Sequence, residues 1–170
     1  GDMSSLETIN SFKSFLESLG SKNYDFREKF FHLNNKSKAN YIFNTSINKI
    51  EETDFILLIG TNPRIEATVL NARIRKAFLT NKVPILSIGS AGDLTYDYKI
   101  IGDKTEDIKK ILDDRNEINT ILRKSKKPMI IIGESALSTK SGKFILENMK
   151  LKKWHRSIDP KQLVFRPQSV

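Results

Sequence analysis

No cysteine occurs in this chain. That excludes disulfides, Cys-ligated zinc, iron–sulfur ligation and thiol catalysis within these residues. Histidine is almost as scarce. His32 and His155 are the two present, too few for a His-rich metal cage or a two-His helix motif. Each stands beside apolar or basic residues, which favours a structural role for both. No apolar run reaches the ~18 residues of a membrane span, and the N-terminus lacks the basic-then-apolar layout of a signal peptide. Proline and glycine are sparse, at five and eight residues. Against these absences stand 38% hydrophobic residues, ten Phe among them, in 170 positions. That is enough to bury a core, and too apolar for disorder despite 29% charged residues. The expected product is a soluble intracellular chain with no redox chemistry of its own.

The formal net charge of +9 invites a nucleic-acid reading. Its distribution argues otherwise. Only the last twenty residues are dense in positive charge, and the run Arg123-Lys124-Ser125-Lys126-Lys127 leads straight into Pro128 and an apolar strand. The aromatic interleaving of single-strand binders is missing. Lys and Ile each occur 21 times and Asn 13 times, a bias that A- and T-rich codons produce. A basic nucleic-acid-binding module stays the weakest functional alternative.

Periodicity orders the rest. Leu6, Ile9, Phe12, Leu16 and Leu19, with Phe15, predict an amphipathic helix over residues 5–19, with a Ser4–Glu7 capping box and Gly20 as its stop. Asn34 to Lys38 reads as a turn. Tyr41, Ile42, Phe43 and Ile47 supply apolar anchors, and Ile47 with Ile50 predicts a short helix ending near Glu52. Three short apolar runs then end in glycine: Phe55–Ile59 before Gly60, Ile85–Ile88 before Gly89, and Met129–Ile132 before Gly133. Near-continuous β-branched runs are the mark of parallel strands buried on both faces. Helical faces lie between and after them: Ala67, Leu70, Ile74, Ala77 and Phe78; Ile108, Ile111 and Leu112; Ile118, Ile121 and Leu122; and Phe144, Ile145 and Met149. This alternation predicts a right-handed α/β fold with a mostly parallel sheet and flanking helices. Residues 150–170 are basic, contain Pro160 and Pro167, and read as a partly extended tail against which Trp154 docks back on the body.

The motif search is mostly negative. Gly60-Thr61-Asn62-Pro63 lacks the further glycines of a dinucleotide fingerprint. Gly133 to Gly142-Lys143-Phe144 has the wrong spacing for a phosphate loop, and Phe144 stands where the magnesium-binding hydroxyl would be. Asp103, Asp107 and Asp113-Asp114 read as surface acids, with nothing to pair them as catalytic carboxylates. No catalytic residue and no metal ligand is identified. In Thr61-Asn62-Pro63-Arg64, Pro63 fixes the loop leaving the strand. Asn62 bonds either its own backbone or a partner, and Arg64 and Glu66 either pair together or face a partner.

Residues 41–83 carry a specific resemblance. Tyr41-Ile42-Phe43-Asn44-Thr45-Ser46-Ile47, Leu58-Ile59-Gly60-Thr61-Asn62-Pro63-Arg64-Ile65-Glu66-Ala67 and Leu70-Asn71-Ala72-Arg73-Ile74-Arg75-Lys76 resemble the large iron–sulfur subunit of respiratory complex I. The likeness continues through Ile88-Gly89-Ser90, Asp93-Leu94-Thr95-Tyr96 and Lys126-Lys127-Pro128-Met129, and covers roughly residues 1–147. It implies a Rossmann-like, molybdopterin-oxidoreductase-like domain over 1–149, incomplete and lacking the cluster-binding half. It also implies that this part carries neither pterin nor metal, the iron–sulfur clusters lying in the missing N-terminal part or a separate chain. Gly60, Thr61, Asn62, Pro63, Gly89 and Gly133 then correspond to vestigial pterin-loop positions. Arg64, Glu66, Asn71, Arg73 and Arg75 are the candidates for packing or inter-subunit contacts. The implied role is a non-catalytic structural part of the peripheral arm passing electrons from NADH to quinone. Its partners would be other peripheral-arm subunits, without nucleic acid or membrane insertion. Its place would be the matrix side of the mitochondrial inner membrane or the cytoplasmic face of a bacterial one. A pterin- or nucleotide-binding oxidoreductase domain is the alternative.

Overall fold

The computed structural model describes residues 4–24, 45–113, 115–149 and 163–165. Tyr41, Ile42, Phe43, the Asn34–Lys38 turn, both histidines, Asp114 and Trp154 lie outside that set, as do Pro160 and Pro167. Two compact units divide the chain, one over residues 1–30 with Val170 and one over 31–169.

In the first unit, α1 spans Leu6–Ser18. The cap is one residue later than the capping box predicts: Ser5 accepts from the Thr8 N–H, and Glu7 falls inside the first turn. The stop is as expected. Gly20 has φ +79°, and Ser21 N–H returns to the Leu16 carbonyl at 3.0 Å, closing the helix through a left-handed residue.

The second unit opens with a 3-10 helix, Ile47–Glu52, then alternates: β1 Phe55–Ile59, α2 Pro63–Glu66, α3 Thr68–Asn81, β2 Ile85–Ile88, β3 Lys99–Gly102, α4 Thr105–Leu112, α5 Glu117–Lys124, β4 Pro128–Ile132, α6 Glu134–Leu137, α7 Gly142–Asn148 and β5 Leu163–Phe165. Every strand pair is parallel, in the order β3-β2-β1-β4-β5. The three predicted strands are the buried centre. The two that periodicity missed are edges. β3 is exposed along Lys99 and Ile100, so it lacks the apolar run by which its neighbours are recognised. β5 is a three-residue strand beside β4, in the stretch read as an extended tail.

The central strands serve two cores at once. Phe55, Leu57 and Ile59 of β1 face one side with Ile130 and Ile132, against Ile108 and Ile111 of α4, Leu122 of α5, and Ile145, Leu146 and Met149. Ile56 and Leu58 face the other with Met129 and Ile131, against Ile50 and against Leu70, Ile74 and Ala77 of α3. The alternation of side chains along each strand produces this division. Burying each Leu or Ile contributes roughly 1.5–3 kcal/mol before entropy is subtracted. Ile121, expected on the apolar face of α5, is instead exposed.

Candidate functional site

The chain runs outward from β1 to β2 and β3, then returns to β4 on the other side of β1. The crevice between the carboxyl ends of β1 and β4 is therefore the topological switch point, where doubly wound sheets bind their ligands. Gly60 and Gly133 occupy it.

Both strand ends are drawn together rather than apart. Gly133 N–H donates to the Ile59 carbonyl at 2.9 Å, which extends the β1–β4 ladder past its end. A Cβ on Gly133 would lie 2.2 Å from the Gly60 carbonyl oxygen, and one on Gly60 would lie 2.8 Å from the Ala136 Cβ. The Ser135 hydroxyl donates to that same Gly60 oxygen. The crevice is filled by the protein's own backbone and by the start of α6. Among the described residues a cleft of about 170 Å³ lies to one side, bordered by Gly60, Gly89, Asp103, Lys104, Thr105, Ser135 and Thr139 over a floor of Ile59, Ile88, Ile108 and Ile145. Gly89 has φ +85° and open space around its α-carbon, so the backbone conformation, not crowding, demands glycine there.

The loop after β1 is closed on itself. Asn62 is the N-cap of α2 and accepts from the Arg64 and Ile65 N–H groups. Pro63 sits at the first helical position, where no N–H is needed. Glu66 reaches back to accept from the Asn62 N–H at 2.7 Å and the Thr61 hydroxyl at 3.0 Å. Of the two fates open to Asn62, bonding its own backbone is the one observed. Glu66 thus faces Thr61 and Asn62, and Arg64 turns elsewhere.

Arg64 meets Asp93 through Nη1, at 2.5 Å from Oδ2 and 3.1 Å from the carbonyl. The Thr95 N–H and then the Arg64 guanidinium hold the Asp93 carboxyl below its ordinary range. Asn71 is buried in α3. It donates to the Leu94 carbonyl at 3.3 Å and accepts from the Tyr96 hydroxyl at 2.8 Å. Burial pushes the Tyr96 phenol upward. Leu94 fills the core, and Thr95 holds a left-handed φ of +68°. The segment Asp93-Leu94-Thr95-Tyr96 is therefore a strap fastened to α2 at one end and α3 at the other. Further along α3, Arg73 pairs with Glu51 Oε1 and Lys76 with Oε2 at 2.7 Å. Lys76 and then Arg73 lower the Glu51 carboxyl. Arg75 is exposed and makes no ion pair among the described residues.

Four of the five contact candidates thus have intramolecular partners, and Arg75 projects outward. Three of the partners, Asp93, Tyr96 and Glu51, were not legible as such, nor was the Ser135 hydroxyl on Gly60. Arg64 and Asp93 are 29 positions apart, with no local spacing rule to join them. Asp103 is exposed as expected, whereas Asp107 caps α4, accepting from the Asp103 and Lys104 N–H groups.

Comparison with known proteins matches residues 1–154 to the molybdopterin oxidoreductase family. The chain belongs to that family. Within it, this molybdopterin oxidoreductase domain is 38% identical over 163 residues to the NADH-ubiquinone oxidoreductase 75 kDa subunit of Reclinomonas americana, covering 88% of this chain and 24% of that protein. It is 34% identical over 146 residues to an NADH-quinone oxidoreductase subunit of the bacterium Rickettsia conorii, covering 86% and 22%. It is 35% identical over 147 residues to the mitochondrial NADH-ubiquinone oxidoreductase 78 kDa subunit of Candida albicans, covering 85% and 20%. The chain therefore spans about a quarter or less of the length of these relatives. They are large subunits of complex I, mitochondrial and bacterial, as the residue motifs implied.

At the switch point the Gly60–Gly133 approach joins the strand ends, and the cleft that the described residues form beside it is below the roughly 300–1,000 Å³ of ordinary ligand pockets. No group of three or more His, Cys, Asp or Glu among the described residues could hold a metal ion. No helix among them is long and apolar enough to cross a membrane.

Proposed function

We propose that this domain is a non-catalytic structural part of an NADH:quinone oxidoreductase, placed in the peripheral arm beside a cluster-bearing part or chain. The observation that carries the reading is the packed switch point. Where a doubly wound sheet would receive a ligand, this one joins β1 to β4 through Gly60, Gly133 and Ser135. The family match and the complex I relatives supply the setting. In this role Asn62, Arg64, Glu66, Asn71 and Arg73 hold the strand-to-helix junctions rigid, so that the outer surfaces keep their shape for neighbouring subunits. Electron transfer belongs to clusters held elsewhere in the assembly. The proposed site of action is the matrix face of the mitochondrial inner membrane or the cytoplasmic face of a bacterial membrane.

Affinity purification of the tagged full chain from the cell that makes it, followed by native electrophoresis, tests the proposal. Co-migration with NADH-oxidising activity and other complex I subunits is expected. Recovery of the chain as a lone monomer would overturn it, as would a stoichiometric pterin or nucleotide released on denaturation.

A further inference from the structure

The outer face of α3 carries exposed apolar residues among its polar ones. Leu70, Ile74 and Ala77 point into the core. On the opposite face, Val69, Ala72, Lys76 and Leu79 follow one another at steps of three, four and three residues. All four are exposed, Val69 at 63% and Leu79 at 49%. Ile65, in the preceding turn, is 78% exposed. Steps of three and four are the spacing by which one helix presents a seam to another, and the small Ala72 at its middle permits close approach of a second backbone. Helix α3 has no acidic residue; Lys76 stands in the seam and Arg75 beside it.

We propose that this face of α3 docks a helix of a second, different protein chain, one whose apolar ridge is flanked by carboxylates. Charge complementarity selects that occupant. Arg75 is exposed and unpaired among the described residues, and Arg73 and Lys76 share the single carboxylate of Glu51, so the face keeps a positive balance and a helix with basic flanks would meet like charge. A second copy of α3 would do the same, setting Arg75 and Lys76 against their own kind, which disfavours self-association through this face. The proposal rests on the reading that the chain works inside an assembly, and it names the surface used.

The test places a photo-crosslinking amino acid at position 69, 72 or 79 of the full chain, produced in its own cell, with position 121 of α5 as the exposed control. Adducts from 69, 72 and 79 are expected on one segment of a single other chain, at helical intervals, in a sequence containing Asp or Glu. Yield at position 121 should be at least about tenfold lower. Arg75→Glu should cut the yield from position 72 severalfold, and rising salt should do the same, since exposed charge pairing is screened. Circular dichroism and melting temperature should not change. Adducts confined to this chain, to a second copy of it, to lipid or nucleic acid, or absent altogether, would each overturn the inference. Co-migration with complex I is scored separately. A chain that joins the complex while its α3 stays unlinked defeats this inference alone. A chain outside the complex with a helical partner on α3 defeats only the functional reading.

Discussion

At the scale of single residues, the switch point turns on which glycines are crowded and which are merely bent. Gly133 is crowded by backbone, its missing Cβ aimed at the Gly60 carbonyl. Since backbone cannot swing aside, Gly133→Ala should destabilise by about 3 kcal/mol or more, seen as a melting temperature lower by roughly 6–12 °C. Gly89 has open space and only its φ to satisfy. Gly89→Ala should therefore cost only about 1–2 kcal/mol, and equal losses at both sites would contradict the distinction. The buried Asn71–Tyr96 pair offers a second test. Tyr96→Phe leaves the Asn71 oxygen without its donor, and Asn71→Ala strands both the Tyr96 hydroxyl and the Leu94 carbonyl. Each should cost about 1–3 kcal/mol, and the double variant should fall short of the sum, in a denaturation cycle, by about 0.5 kcal/mol or more. Because burial holds the folded Tyr96 pKa above its unfolded value near 10, the folded state keeps a proton that the unfolded state loses. Stability should be intact below about pH 10 and decline above it, and Tyr96→Phe should remove that part of the alkaline decline.

At the scale of elements, short polar clasps decide how helices and strands meet. Asp54 accepts from the Lys126 and Lys127 N–H groups and so aligns the starts of β1 and β4. The 3-10 helix is bound to α3 by Glu51, which takes Arg73 and Lys76 and offers its carbonyl to Asn81 at 2.8 Å. Lys76 and Arg73 depress the folded pKa of Glu51, so its contribution is present above the unfolded value of about 4.3 and is lost as pH falls through the folded pKa. Glu51→Gln should flatten the acid limb of a stability–pH curve recorded from pH 6 downward, leaving the alkaline limb alone; an unchanged acid limb would show that the clasp does not hold the two elements together. Much at this scale was legible beforehand. α1, the short helix ending at Glu52, β1, β2, β4 and the buried face of α3 follow from apolar spacing. The edge strands did not, because β3 has an exposed Lys99 and Ile100 and pairs on one side only, which removes the continuous apolar run that marks a central strand.

At the scale of the whole molecule, part of the +9 charge is neutralised by ion pairs among the described residues. Arg64 meets Asp93, Arg73 and Lys76 share Glu51, Lys110 meets Asp107, and Lys127 meets Glu52. Such exposed pairs add little stability, but among the described residues they interrupt the positive stripe that phosphate tracking needs. Titration of a mixed-sequence DNA duplex should therefore show no saturable binding at about 0.15 M salt, well inside the range where true binders hold non-specific DNA. Tight binding with a steep salt slope would restore the nucleic-acid reading.

Residue order alone determined the class of this protein. Zero cysteines excluded cluster ligation, three β-branched runs ending in glycine implied a parallel sheet, and the segments from Asn62 to Lys76 and Asp93 to Tyr96 pointed to the complex I large subunit. These signals are local, carried by side-chain type and short spacing. Only the tertiary structure decided that the Gly60–Gly133 crevice is closed, that Arg64 belongs to Asp93 and Asn71 to Tyr96, and that Val69 and Leu79 face outward. Those facts depend on which distant strands become neighbours, and the pairing of β1 with β4 joins positions some seventy residues apart. A spacing rule that spans one or two helical turns cannot reach across that distance; the packing of the two cores on either side of the sheet does.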